Sequence, residues 1–155
     1  GFNTSLSWKG FDLSAIFAYS IGGYIYNRDI TMILHNGSLE GRDWSTEILK
    51  RWTPENRYTD VPALSTTSNN WNSASTRFLQ NNSYMRLKNL TLSYDLPKQW
   101  ISKLALSSVQ VFVQGDNLFT IHRNQGLDPE QGITGITYYR YPAMRTISGG
   151  INVSF

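Results

Sequence analysis

The chain has 155 residues, a net charge of +3, 16% charged and 14% aromatic side chains, and no cysteine. The positive charges are scattered rather than gathered into a stripe, which excludes a nucleic-acid footprint; the missing thiols exclude a disulfide framework; and no apolar run approaches the ~20 residues of a membrane-spanning helix. Abundant Gly, Asn, Ser and Thr with many aromatics predict an all-β protein of one domain, or part of one, with no linker dividing it.

The chain opens on Gly1 without an initiator Met or signal segment and runs straight into a strand pattern, as a processed product or a fragment would. In residues 2 to 9, Phe2, Thr4, Leu6 and Trp8 alternate with Asn3, Ser5, Ser7 and Lys9. That is the period of a strand with two unlike faces. After a Lys9-Gly10 turn, residues 11 to 20 place Phe11, Leu13, Ala15, Phe17 and Tyr19 opposite Asp12, Ser14, Ala18 and Ser20, with Ile16 the exception. The two segments read as a hairpin.

Residues 21 to 83 read as a long irregular loop, and loops of such length are usually functional. Within it "DWSTEILKRW" predicts a short helix capped by Asp43 or Ser45 and broken before Pro54. A weaker helical turn spans Asp29 to His35, stopped by Asn36-Gly37.

A third strand, residues 84 to 96, has Leu90, Leu92, Tyr94 and Leu96 on one face, while Met85 and Leu87 fall in the other phase. The change of phase predicts a bulge near Lys88. A fourth strand, 108 to 119, carries Val109, Val111 and Val113 against Gln110 and Gln114, with Phe112 out of pattern. The fifth, 144 to 155, alternates Ile147, Gly149, Ile151, Val153 and Phe155 with Thr146, Ser148, Gly150, Asn152 and Ser154.

The connections run two residues, then about sixty, about ten and about twenty-five, the asymmetry of outer-membrane barrels with short periplasmic turns and long outer loops. Trp8, Phe11, Tyr94 and Phe155 fall near the short-turn edge, and Tyr19, Phe119 and Tyr141 near the long-loop edge, as two interfacial girdles would. Bacterial single-chain barrels have an even number of strands, so five strands imply missing upstream strands. A five-stranded sheet alone would leave two ladders of backbone polar groups unpaired in hydrocarbon, and would not span a bilayer unaided.

"RWTPENRYTDVPAL" (51 to 64), "NNSYMRLKNLTLSYDLP" (81 to 97), "VFVQGDNLFT" (111 to 120), "GLDPE" (126 to 130) and "YPAMRTISGGINVSF" (141 to 155) together resemble the C-terminal end of SusC/RagA-type TonB-dependent transporters of the Bacteroidota. The resemblance implies an antiparallel transmembrane β-barrel of about 22 strands in the cell outer membrane, surrounded by its lipid, of which this chain would be the last five strands with outer loops 21 to 83 and 120 to 143. It implies an N-terminal plug domain, a SusD-like surface lipoprotein over the outer mouth, energy from the TonB complex through the absent N-terminal part, and import of oligosaccharides or peptides. A final strand ending on Phe155 resembles the signal read by the outer-membrane assembly machinery. No enzyme activity and no cofactor are implied.

Trp44, Arg51, Trp52, Tyr58 and Trp71 in the first long loop, with Tyr138 and Tyr139 in the second, are candidate contacts for a glycan, a peptide or the lid lipoprotein, since aromatic rings and Arg serve both uses. The plainer reading is that Trp52 and Pro54 staple the loop helix to the rim. Asp128 and Glu130 offer carboxylates, but two are far short of a calcium set, and Asp128-Pro129 reads better as a turn. Asp116 and Asn117 read as turn formers, and His35 and His122 lack the spacing of a catalytic triad. No metal site is assigned. The competing reading is a secreted, soluble β-sandwich that binds carbohydrate. It would bury Phe17, Leu92, Val111 and Ile151 in one core.

Overall fold

The structure, a computed structural model, describes residues 1–35, 37, 39, 41–65, 67, 73–104, 106–124, 128–130 and 134–155, the side chain of residue 104 excepted. Trp71, Asn36, Gly126 and Leu127 of the sequence reading lie outside the described residues. In chain order the elements are β1 (Phe2–Trp8), β2 (Phe11–Ser20), β3 (Tyr24–Asn27), α1 (Arg28–Ile33), a 3-10 turn at Thr46–Lys50, another at Thr76–Phe78, β4 (Leu79–Asn81), β5 (Tyr84–Asp95), α2 (Lys98–Ile101) with a 3-10 turn at Ser102–Leu104, β6 (Ser108–His122), β7 (Ile136–Thr137) and β8 (Thr146–Ser154). The chain is thus mostly strand with few helical turns, and none of its described helices is long and apolar enough to cross a membrane.

Two compact units divide the chain. The first comprises Gly1–Gly23, Asn82–Pro129 and Pro142–Phe155. It carries an antiparallel sheet in the order β1-β2-β5-β6-β8, so strands adjacent along this part of the chain are adjacent in space. Lys9 (φ 47°) and Gly10 (φ 87°) are both left-handed at the β1–β2 turn, the pair of torsions a two-residue hairpin needs to match strand twist.

The register aligns the alternation of every strand. Trp8, Phe11, Tyr94, Val111 and Ile151 form one cross-strand row, and Leu6, Leu13, Leu92, Val113 and Gly149 the next. One face of the sheet is therefore apolar but for Thr4, which shares a row with Ala15, Leu90 and Ile147. Phe2 stacks on Phe17 at 4.6 Å and Phe11 on Tyr94 at 4.4 Å between ring centroids. Among the described residues nothing seals this face: Leu92, Val111 and Ile151 are 41%, 43% and 65% exposed. A soluble sandwich would seal those side chains, so the sandwich reading is overturned.

The ladder shifts register at Lys88, which the β2 register skips and which lies opposite Asn117 and Leu118 on β6. The extra residues return Met85 and Leu87 to the apolar face, in line with Tyr19, Phe17, Ile121 and Phe119. Asn117 supplies the left-handed torsion (φ 52°), and Leu118 folds over Gly115 so closely that a Cβ there would sit 2.6 Å from its methyl carbon. Phe112, the exception in its strand, lies on the opposite face over Gly150, where a Cβ would meet its ring at 2.9 Å. β6 runs on to His122 rather than stopping at 119, and β8 begins at Thr146 rather than 144.

The second unit comprises Tyr24–Asn81 and Glu130–Tyr141. The sequence reads this stretch as irregular loop; instead it holds a small sheet in the order β4-β3-β7, with β3 and β7 parallel. Strands of two to four residues are too short to display a periodicity. Ile25, Ile48, Val61 and Phe78 are its buried apolar side chains, and Phe78 meets Tyr26 edge-on at 6.1 Å. The helix expected from Asp43 or Ser45 is a 3-10 turn, Thr46–Lys50, capped by Ser45, whose Oγ accepts from the Glu47 N–H at 3.3 Å.

α1 begins where buried Asn27 ends β3, its Oδ1 accepting the Ile30 N–H at 3.1 Å. Removing that acceptor leaves a helix donor unpaired out of water. Asn27→Ala should therefore lower the stability of this unit by about 1–2 kcal/mol, seen as faster amide hydrogen exchange over 25–34 while exchange in β5 and β6 is unchanged.

Candidate functional site

The face of the sheet opposite the apolar one is a polar surface, and its side chains bind one another. Asn89 Nδ2 donates to Asp116 Oδ1 at 2.8 Å, Thr91 Oγ1 donates to Asn89 Oδ1 at 2.9 Å, and Gln114 Nε2 donates to both Asp116 oxygens at 3.2 Å. Ser7 Oγ donates to Asp12 Oδ1 across the first hairpin. Asp116 is thus a hub within the sheet and not a turn former. Such a lattice fixes side chains that a water-lined surface would otherwise leave mobile.

Toward the His122 end of this face, Arg86 is buried. Its Nε donates to Thr120 Oγ1 at 2.8 Å, and its Nη2 donates to Asp128 Oδ1 at 2.6 Å in an ion pair shielded from water on both sides. Asp128 Oδ2 accepts the Ala143 N–H at 2.7 Å, and Asn82 Nδ2 donates to the Pro129 carbonyl at 3.0 Å. One carboxylate therefore ties two loop segments to strand β5. The turn reading of Asp128-Pro129 and the calcium alternative both miss this role. Both carboxylate oxygens are engaged, and the described residues contain no group of three His, Cys, Asp or Glu side chains able to hold a metal. A recess of about 460 Å³ adjoins the pair, lined in part by Thr120, His122, Pro142 and Arg145. His122 Nδ1 lies 2.9 Å from the Asn124 carbonyl oxygen, so Nδ1 carries a proton and donates.

The described residues among the sequence-predicted contacts belong to the second unit, in separate groups. Tyr138 and Tyr139 lie with ring centroids 4.4 Å apart, both largely exposed. Arg28 sits 4.9 Å over the Tyr138 ring, and the Tyr139 N–H donates to Asp29 Oδ1 at 3.0 Å. Tyr139 is left-handed (φ 45°), a strained torsion for an aromatic residue, and the Asp29 bond holds it. Trp44 meets the ring of fully buried His35 edge-on at 4.8 Å, and neither nitrogen of that imidazole has a hydrogen-bond partner among the described residues. Arg51 and Trp52 follow the 3-10 turn, where the Trp52 N–H donates to the Val61 carbonyl at 2.8 Å. The Arg51 carbonyl accepts from Asn56 Nδ2 at 3.3 Å, and the Tyr58 side chain is fully exposed. Sequence reasoning missed Arg28, Asp29 and Arg86. Arg86 falls on the polar face of a strand whose phase changes at the bulge, which was the available signal.

No protein-family model matches the chain. The TonB-dependent receptor P3 of Formosa agariphila is 33% identical over 166 aligned residues, covering 100% of this chain and 16% of that receptor. The TonB-dependent receptor SusC of Bacteroides thetaiotaomicron is 27% identical, covering 100% of this chain and 15% of SusC. The solved structure of the RagAB peptide transporter superposes with a TM-score of 0.86 at 34% identity, over 99% of this chain and 16% of the matched one. These relatives are receptors and a transporter, not enzymes, and the chain spans about one sixth of their length. A likeness that runs through the whole chain, in sequence and in the course of its backbone, makes this chain a member of the SusC/RagA family of TonB-dependent receptors, outer-membrane β-barrel proteins of which it matches one segment.

Proposed function

We propose that the chain supplies wall strands and outer loops to a SusC-like TonB-dependent importer, at the C-terminal end of a barrel of about 22 strands. The observation that carries this is the sheet with two unlike faces and two open margins. The apolar face is exposed, the polar face is laced by its own hydrogen bonds, and β1 and β8 are the outermost strands. In hydrocarbon each unpaired backbone group costs several kcal/mol, so both margins need further strands of one closed ring. The ten residues of β2, tilted as barrel strands are, rise about 23 Å, close to the ~25 Å apolar band of outer-membrane barrels.

On this reading the polar face lines the lumen, residues 21 to 83 and 120 to 143 lie outside the cell, and exposed Phe155 ends the strand read by the assembly machinery. The plug domain and the segment that meets TonB belong to the remainder of the receptor, so this part is not transport-competent alone. A SusD-like lipoprotein would close the outer mouth against Trp44, Arg51, Trp52, Tyr58, Tyr138 and Tyr139, with Trp71 beside them in sequence. The substrate class is oligosaccharide or peptide. The RagAB likeness, a peptide transporter by description, favours peptide.

Single cysteines at Leu13, Ser14, Val113 and Gln114 in the complete receptor test the orientation. Probes at Leu13 and Val113 should be quenched by brominated lipid and spared by aqueous thiol reagents, with Ser14 and Gln114 behaving oppositely. Equal aqueous reactivity at all of them would sink the proposal.

A further inference from the structure

We propose that the recess beside the Arg86–Asp128 pair is a subsite for the C-terminal carboxylate of an extended peptide, held by Arg145. The proposal deepens the importer reading above and rests on it for the class of ligand. The recess, about 460 Å³, is lined by residues of the first unit. Phe119 pairs with Leu87 in the apolar phase of β6 and Thr120 with Arg86 in the polar phase, and both border the recess. Successive side chains of a strand point to opposite faces, so a hollow touched by both phases lies along the margin of the strand. That margin has no strand beside it among the described residues: the β6–β8 ladder ends with Asp116 opposite Thr146, while β6 runs on to His122. The unpaired N–H and C=O groups of such a margin are what an extended peptide binds when it adds to a sheet.

Charge selects which end of the peptide the recess takes. Arg86 and Asp128 border it as a closed pair, nearly sealed from water, and cancel. No other acidic side chain borders it among the described residues. Arg145 borders it as well, exposed and with no hydrogen-bond or ion-pair partner among the described residues. His122 donates from Nδ1 to the Asn124 carbonyl and brings no negative charge. The balance is one uncompensated guanidinium, whose planar fork of N–H donors matches a carboxylate and repels a terminal amine. A neutral oligosaccharide has no group that uses this charge. Phe119, Pro129 and Pro142 give the same recess apolar walls, which suit the side chain of a terminal residue.

Isothermal titration of the complete receptor with pentaalanine, with its C-terminal amide and with an oligogalacturonide tests this. Wild type should bind the free acid roughly fivefold more tightly than the amide, the upper range for an exposed ion pair. Arg145→Gln should remove that preference by weakening the acid alone, and Arg145→Lys should keep part of it. A merely structural role for Arg145 would weaken both peptides together. Equal affinity of wild type for acid and amide, or a preference that survives Arg145→Gln, would overturn the subsite and leave the importer reading standing. Binding of the oligogalacturonide with neither peptide bound would overturn the peptide reading beneath it, and the subsite with it.

Discussion

Leu92→Arg in the complete receptor will lower the free energy of folding into a bilayer by about 2–4 kcal/mol, whereas Ser93→Arg, one residue along the same strand, will change it by less than about 1 kcal/mol. Leu92 sits in a row with Leu6, Leu13 and Val113, away from both aromatic ends of the face, so a guanidinium there has a long way to reach head groups. Ser93 pairs with Asp12 and Phe112 on the polar face, where water would meet the new charge. The contrast is informative because Leu92 is already 41% exposed in this unit. If that exposure were to water, Arg at 92 would cost little, as surface substitutions usually do. Folding into vesicles followed across a urea titration reads both variants. Equal, small effects would remove lipid from the account.

The second large effect is expected at Asp128. Asp128→Ala leaves the Arg86 guanidinium, nearly sealed from water, without its carboxylate, and leaves the Ala143 N–H without its acceptor. Breaking a buried pair from one side costs about 3–5 kcal/mol. Asp128→Asn, which keeps the hydrogen-bonding shape and loses the charge, should fall between. The double variant Arg86→Met with Asp128→Leu should recover much of the loss, because no uncompensated charge remains. Limited proteolysis of the folded receptor supplies the local readout: Asp128→Ala should open cleavage within 142–145 and leave β2 and β5 intact. Unchanged cleavage there would show that the ion pair does not anchor the returning segment.

How much was legible in the sequence follows from how far each feature depends on neighbours in the chain. The paired faces of β1, β2, β5, β6 and β8 are written by alternation, and even the fault at Lys88 is written as a change of phase. Phe112 looked like an error in that pattern because its reason, the bare backbone of Gly150, lies on another strand. The small sheet of β3, β4 and β7 escaped because each strand is only two to four residues long, and its pairings join residues more than fifty positions apart. The Arg86–Asp128 pair escaped for a related reason: 42 residues separate its partners, and Asp128-Pro129 carries a turn signature of its own. Tyr138 and Tyr139 were named, but Arg28 and Asp29, which hold them, come from the far end of the second unit.

The surplus residue at Lys88 makes β5 forgiving at one spot. Losing an amino acid from the middle of a ribbon ordinarily transposes everything beyond the gap, sending grease inward and amides outward. Without Lys88 the remaining order, Met85, Arg86, Leu87, Asn89, Leu90, alternates cleanly, and each of these side chains keeps its face of the sheet. Length variation among kindred proteins should therefore gather at this kink and be rare a few positions to either side.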